Sequence, residues 1–96
     1  MKNQRIITRR KAPTDLERRV IGARQGWKCN ICSEILSAHF QVDHARPLFA
    51  GGTNDTINLQ ALCPNCHAEK TAWEIHEKNR QDISPYFNPY SKYHLK

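Results

Sequence analysis

Val42-Asp43-His44-Ala45-Arg46-Pro47-Leu48-Phe49-Ala50-Gly51-Gly52-Thr53-Asn54, then Asn58-Leu59-Gln60, then Cys63-Pro64-Asn65-Cys66-His67-Ala68-Glu69-Lys70-Thr71, is the stretch on which the fold turns. Phe40 to Asp43 alternates apolar and polar side chains, the period of a half-buried strand. Pro47 must lie beyond that strand, because it has no N–H to give a ladder. Gly51 to Asp55 is rich in turn formers, and Leu59 to Leu62 reads as a returning strand. Cys63 then stands near an N-cap with Pro64 at the first helical position, and the helix continues through Ala68, Trp73 and Ile75 to about Lys78. Two strands followed by a helix make a ββα unit in a small α+β fold.

Toward the N-terminus, Thr14-Asp15-Leu16-Glu17 has the form of a capping box. It predicts a helix from about Asp15 to Gln25, stopped by Gly26, with Leu16, Val20 and Ala23 inward and Arg18, Arg19 and Arg24 in water. Residues 1–13 lack periodicity and are expected to form a flexible basic arm before a folded domain at 14–80. Residues 81–96 are interrupted by Pro85 and Pro89 and rich in aromatics, a tail expected to pack its rings on the core. Trp27 and Trp73 are expected in the core, and His39, His76 and His94 at the surface or in packing roles.

A chain of 96 residues buries only about 60–65% of its unfolded surface, so an apolar core alone is marginal and a staple is expected. Cys29-x2-Cys32 and Cys63-x2-Cys66 have the spacing of a tetrahedral four-thiolate zinc site. Disulfides would suit an exported protein, but residues 1–11 hold no apolar run that could serve as a signal or a membrane span. Cys63-Pro-Asn-Cys66-His67 also matches covalent haem attachment, and either pair a redox dithiol; haem would leave Cys29 and Cys32 without a task. Structural zinc accounts for all four.

Fifteen Lys and Arg against nine Asp and Glu give a formal charge of +6. The excess is concentrated before the first cysteine, in Lys2, Arg5, Arg9, Arg10, Lys11, Arg18, Arg19, Arg24 and Lys28. Phosphate neutralised by such residues releases condensed counterions, so a nucleic acid is the natural partner; a solvated arm is the alternative reading.

Hydrolysis of a phosphodiester requires a water that loses its proton, neutralisation of charge at phosphorus and stabilisation of the departing 3'-oxygen. One divalent cation beside a general base meets these needs. Asp43, His44, Asn58 and His67 supply side chains of the right types. Asp43-His44, Pro47, Gly51-Gly52, Asn58-Leu59 and Cys63-x2-Cys66-His67 with Lys70-Thr71 together resemble the HNH endonuclease family in its four-cysteine zinc form, over roughly residues 27 to 78.

The resemblance implies the ββα-metal fold with a zinc that is structural. It implies that His44 is the general base, that Asp43 and His67 hold the catalytic divalent ion, and that Asn58 braces the loop that orients His44. A carbonyl of that loop is expected on the other His44 nitrogen. It further implies double-stranded DNA as substrate and products with 5'-phosphate and 3'-hydroxyl ends. Arg9, Arg10, Lys11, Arg18, Arg19, Arg46 and Lys70 are candidate DNA contacts. Because Thr71 stands where some members carry another ligand, the ion would have two protein ligands, which suits Mg2+ or Mn2+, with Ni2+ or Zn2+ as further occupants. A bacterial or phage cytoplasmic setting and a DNA-packaging partner follow from the same resemblance, and a homodimer is an option because two strand breaks from a one-metal site need two copies or two visits. The rival functions are an inactive zinc-knuckle nucleic-acid-binding module and a zinc-bound protein-interaction domain.

Overall fold

The computed structural model describes residues 10–80. Most of the basic arm, including Arg9, and all of the aromatic tail at 81–96 lie outside the described residues. Helix α1 spans Asp15–Arg24, strand β1 Gln41–His44, strand β2 Leu59–Leu62 and helix α2 Pro64–Lys78, with short 3-10 turns at Leu48–Ala50 and Thr56–Asn58. The ββα unit is therefore present, with one helix before it. Among the described residues, no helix is long and apolar enough to cross a membrane.

The strands pair antiparallel, with Gln41 opposite Leu62, Val42 opposite Ala61, Asp43 opposite Gln60 and His44 opposite Leu59. Alternation along each strand sends Val42, His44, Leu59 and Ala61 to one face and Asp43, Gln60 and Leu62 to the other. On the first face Leu59 and Ala61 join Ile21 of α1 and Phe40 in a core flanked by Leu36 and Val42. On the second, Leu62 packs with Cys29 and Cys66, bordered by Ile31 and Cys63. The sheet thus has α1 on one side and the cysteine turns with α2 on the other.

Both helix starts follow from side-chain capping. The Thr14 hydroxyl accepts from Glu17 N at 3.0 Å, and Thr14 N donates to Glu17 Oε1 at 2.9 Å. At α2 the Cys63 sulfur accepts from Cys66 N at 3.4 Å, with Pro64 supplying the first helical residue. Helix α1 gives way to Gly26, whose φ of +66° is the left-handed conformation that favours glycine.

The inward face of α1 differs from the expected one. Leu16 and Val20 are 69% and 47% exposed, Ala23 is exposed, and Ile21 is fully buried. The face turned to the sheet is Arg18, Ile21, Gly22 and Gln25, an i, i+3, i+4, i+7 set of which two members are long and polar. Arg18 donates to Phe40 O at 3.2 Å with its guanidinium 4.2 Å from the ring centre, and Gln25 pairs with the backbone of Ala61. Arg24 is exposed as expected, and its guanidinium also donates to Leu59 O at 2.6 Å and to Thr56 O. Backbone groups at the sheet margin take these hydrogen bonds and set the rotation of the helix. Trp27, expected in the core, is 46% exposed; its ring meets Phe40 edge to face and lies over Gly22.

Candidate active site and metal centre

Cys29 and Cys32 sit in a tight turn, where Cys29 N donates to Glu34 O at 2.8 Å and Ser33 N to Cys29 O at 2.9 Å. Cys63 caps α2 and Cys66 lies in its first turn, so capping brings the second pair to the same place. The four sulfurs all lie within 4.8 Å of one another, and Cys32 and Cys63 are 3.9 Å apart at sulfur. All four thiols are free. A tetrahedral site with metal–sulfur bonds near 2.3 Å sets its sulfurs about 3.8 Å apart, so the spacing fits an ion and not a disulfide. Burial pushes the Cys29 thiol up, but the N–H groups of Cys32, Cys63 and Ile31 outweigh it and bring it down to about 7. Burial and the neighbouring sulfurs push Cys66 well up. Four thiolates this close repel, and a cation is what reconciles them.

Asp43 and His44 end β1, each only 5% exposed. The Asp43 carboxylate divides its two oxygens. Oδ1 lies 3.9 Å from Nε2 of His67, in the first turn of α2. Two metal–ligand bonds of about 2.1 Å would span that gap, so an oxygen and a nitrogen from different elements can share one ion. Oδ2 lies 2.6 Å from Lys70 Nζ, a contact that is ionic and lacks the geometry of a directed hydrogen bond. Lys70 is completely buried and also donates to His44 O at 2.9 Å and to Glu74 Oε2. Burial raises the Glu74 carboxyl above its usual range against the lowering effect of Lys70. Lys70, expected on the surface at a phosphate, is instead an internal tie between α2 and the end of β1, because two carboxylates and a carbonyl meet its ammonium there.

The loop between the strands is braced by Asn58. Its Oδ1 accepts from Arg46 N at 2.9 Å, and its Nδ2 donates to Arg46 O at 3.0 Å and Thr53 O at 2.7 Å. The same loop passes so close to itself that a Cβ on Gly52 would stand 1.8 Å from Arg46 O, so only glycine fits there. His44 Nε2 meets Asn54 Oδ1 at 2.8 Å, so the loop carbonyl expected on the ring belongs to a side-chain amide. An amide oxygen can only accept, so Nε2 is the donor in this pair. Nothing in the sequence distinguished Asn54 from a turn residue of Gly51 to Asp55.

Asp43 and His44 both line a cleft of about 200 Å³, with Arg10, Pro47, Leu48, Phe49, Glu74 and Lys78 on its walls. His44 and Arg10 also border a second hollow of about 350 Å³ beside Lys11, Arg18 and Gln41. Of the candidate DNA contacts, Arg10, Lys11, Arg19 and Arg46 are exposed, Arg46 donating through Nε to Ala50 O at 2.6 Å. Arg18 is engaged with Phe40, as described above.

A strand–loop–strand–helix unit joins four gathered cysteines to an Asp43 carboxylate that faces the helical His67, with His44 beside it at the end of β1. Residues 29–72 match the family model described as HNH endonuclease. These residues are an HNH endonuclease domain. The HNH domain is 48% identical over 44 residues to the mouse (Mus musculus) DNA annealing helicase and endonuclease ZRANB3, covering 44% of this chain and 4% of that protein. It is 52% identical over 31 residues to the Type IV methyl-directed restriction enzyme EcoKMcrA of Escherichia coli K12, covering 32% of this chain and 11% of that enzyme. The shared region is thus a small part of each relative. Within the matched stretch, Cys29, Cys32, Cys63 and Cys66 are placed to bind a metal ion.

Proposed function

We propose that this chain is a metal-dependent endonuclease that hydrolyses phosphodiester bonds in double-stranded DNA, with a structural zinc in the four-cysteine cluster. The observation that carries the reading is the approach of Asp43 Oδ1 to His67 Nε2 at 3.9 Å from two different elements, beside a cleft that Asp43 and His44 both line. The names of the relatives, an endonuclease and a restriction enzyme, support the same substrate class.

Asp43 and His67 would hold Mg2+ or Mn2+. Such an ion, when bound, supplies Lewis-acid stabilisation of charge on the phosphate and the departing 3'-oxygen. His44, its Nε2 hydrogen committed to Asn54, takes the proton of the attacking water at Nδ1. The water oxygen bonds to phosphorus, the bond to the 3'-oxygen breaks with its electron pair, and that oxygen takes a proton from solvent, leaving 5'-phosphate and 3'-hydroxyl ends. Asn58 keeps the loop closed against Arg46 and Thr53, so that His44 and its Asn54 partner hold one orientation. Arg10 and Lys11, on the walls of the two adjoining hollows, meet the flanking phosphates.

Purified chain incubated with supercoiled plasmid and Mg2+ or Mn2+ tests this directly. Nicking or linearisation that EDTA stops, and that His44→Ala reduces by about 10²-fold or more while DNA binding persists, is the expected result. Binding without cleavage in any divalent ion would leave the chain as a nucleic-acid-binding module instead.

A further inference from the structure

Glu74 and its buried partner Lys70 take no direct part in the proposed hydrolysis. Lys70 Nζ donates to His44 O at 2.9 Å and to Glu74 Oε2, and it forms an ion pair with Asp43 Oδ2 at 2.6 Å. The ammonium is fully buried, and the Asp43 and Glu74 side chains are 6% and 15% exposed. Lys70 and Glu74 are one helical turn apart on α2, so the helix itself fixes their pairing. Taken alone, Lys70 and Asp43 would be a closed neutral pair with little pull on a divalent cation. Two carboxylates around one ammonium leave a net charge of −1, and they leave Asp43 Oδ1 turned toward His67 at 3.9 Å.

We propose that Glu74 is a positioning residue for the cation site: by neutralising Lys70 it preserves the negative charge with which Asp43 binds the ion, while Lys70 fixes the end of β1. Glu74 acts through Lys70 and Asp43 and is not itself a ligand. The inference rests on the reading that Asp43 and His67 bind the cation, and the test separates the two.

Mn2+ affinity is measured by isothermal titration on the full chain with its cysteine-bound metal in place, for the wild type, Asp43→Asn, Glu74→Gln and Glu69→Gln. Gln at 74 still accepts from Lys70 through its amide oxygen and removes only the charge; Glu69 is an exposed carboxylate on the same helix. A unit charge lost this close to a divalent ion is expected to raise the Mn2+ Kd about tenfold or more for Glu74→Gln. Glu69→Gln should stay within about twofold, since an exposed charge is screened. Asp43→Asn should lose the site. For Glu74→Gln, raising Mn2+ should restore the nicking rate, a shift in metal requirement with kcat retained that a merely structural role would not give. An unchanged Mn2+ Kd in Glu74→Gln overturns the inference, whereas Mn2+ binding that survives Asp43→Asn overturns the reading beneath it. Should the Gln variant unfold, Glu74→Asp and Glu74→Asn repeat the comparison with charge kept and removed. Equal Kd values in those two would overturn it as well.

Discussion

The side chain of Gln25 binds the backbone of Ala61 twice, Nε2 donating to Ala61 O at 2.9 Å and Oε1 accepting from Ala61 N at 2.9 Å. The outer edge of β2 is thereby closed by a helix-end amide acting as a third strand would. Left open, that edge would present unpaired N–H and C=O groups.

Gln25→Ala should therefore cost about 2–3 kcal/mol: it removes both bonds to Ala61 and a third to Lys28 O, leaving Ala61 N without its partner while Ala61 O keeps the Asn30 N–H at 3.1 Å. For a domain of this size the thermal midpoint should fall by roughly 10 °C or more, read by circular dichroism. A midpoint within two or three degrees of the wild type, a margin set by that same scaling, would show that the edge is satisfied in another way.

Asn58→Ala removes three hydrogen bonds that hold Arg46 and Thr53 together. The expected loss is about 2–4 kcal/mol in chemical denaturation, with a fall in nicking rate that exceeds any change in DNA affinity. A variant that cleaves at the wild-type rate would mean that the brace does not orient His44.

Asn54→Ala tests the other tether of His44. With the ring freed at Nε2, the nicking rate should drop by about 10- to 100-fold while the Mn2+ Kd holds, since outer-shell partners of this kind typically carry that share. Loss of metal binding in place of rate would assign Asn54 to the ion rather than to the histidine.

Cys63→Ser removes a sulfur ligand while its hydroxyl can still cap α2, so the variant isolates the metal's contribution. Structural zinc of this type supplies on the order of 10 kcal/mol of folding free energy, so the variant should show no zinc by elemental analysis and no cooperative unfolding transition. A folded, metal-free variant would show that the apolar core suffices.

Deleting residues 1–11 should flatten the salt dependence of DNA binding, by about 0.9 in the log–log slope for each phosphate contact removed. Fluorescence anisotropy at several salt concentrations reads the slope directly, and identical slopes would exclude the arm from the contact surface.

Local pattern alone located both strands, both helices and the metal-binding cysteines, because capping boxes, Pro at a helix start, strand alternation and Cys-x2-Cys turns act over a few residues. The resemblance carried by those motifs named Asp43, His44, Asn58 and His67. It could not orient α1, since the inward face uses Arg18 and Gln25, whose polar ends make it look like a solvent face; their partners at Phe40 and Ala61 are more than twenty positions away. Nor could it distinguish Lys70 from the surface lysines around it. An ammonium becomes an internal tie only when Asp43, Glu74 and the His44 carbonyl converge on it, and convergence of that sort arises from packing α2 on β1. The sequence by itself determined the order of elements and the chemistry of the side chains available. Which oxygen of Asp43 faces His67, which amide holds His44 and which charges are buried together were decided by tertiary structure, because hydrogen-bonding groups and charges removed from water must find their partners across space.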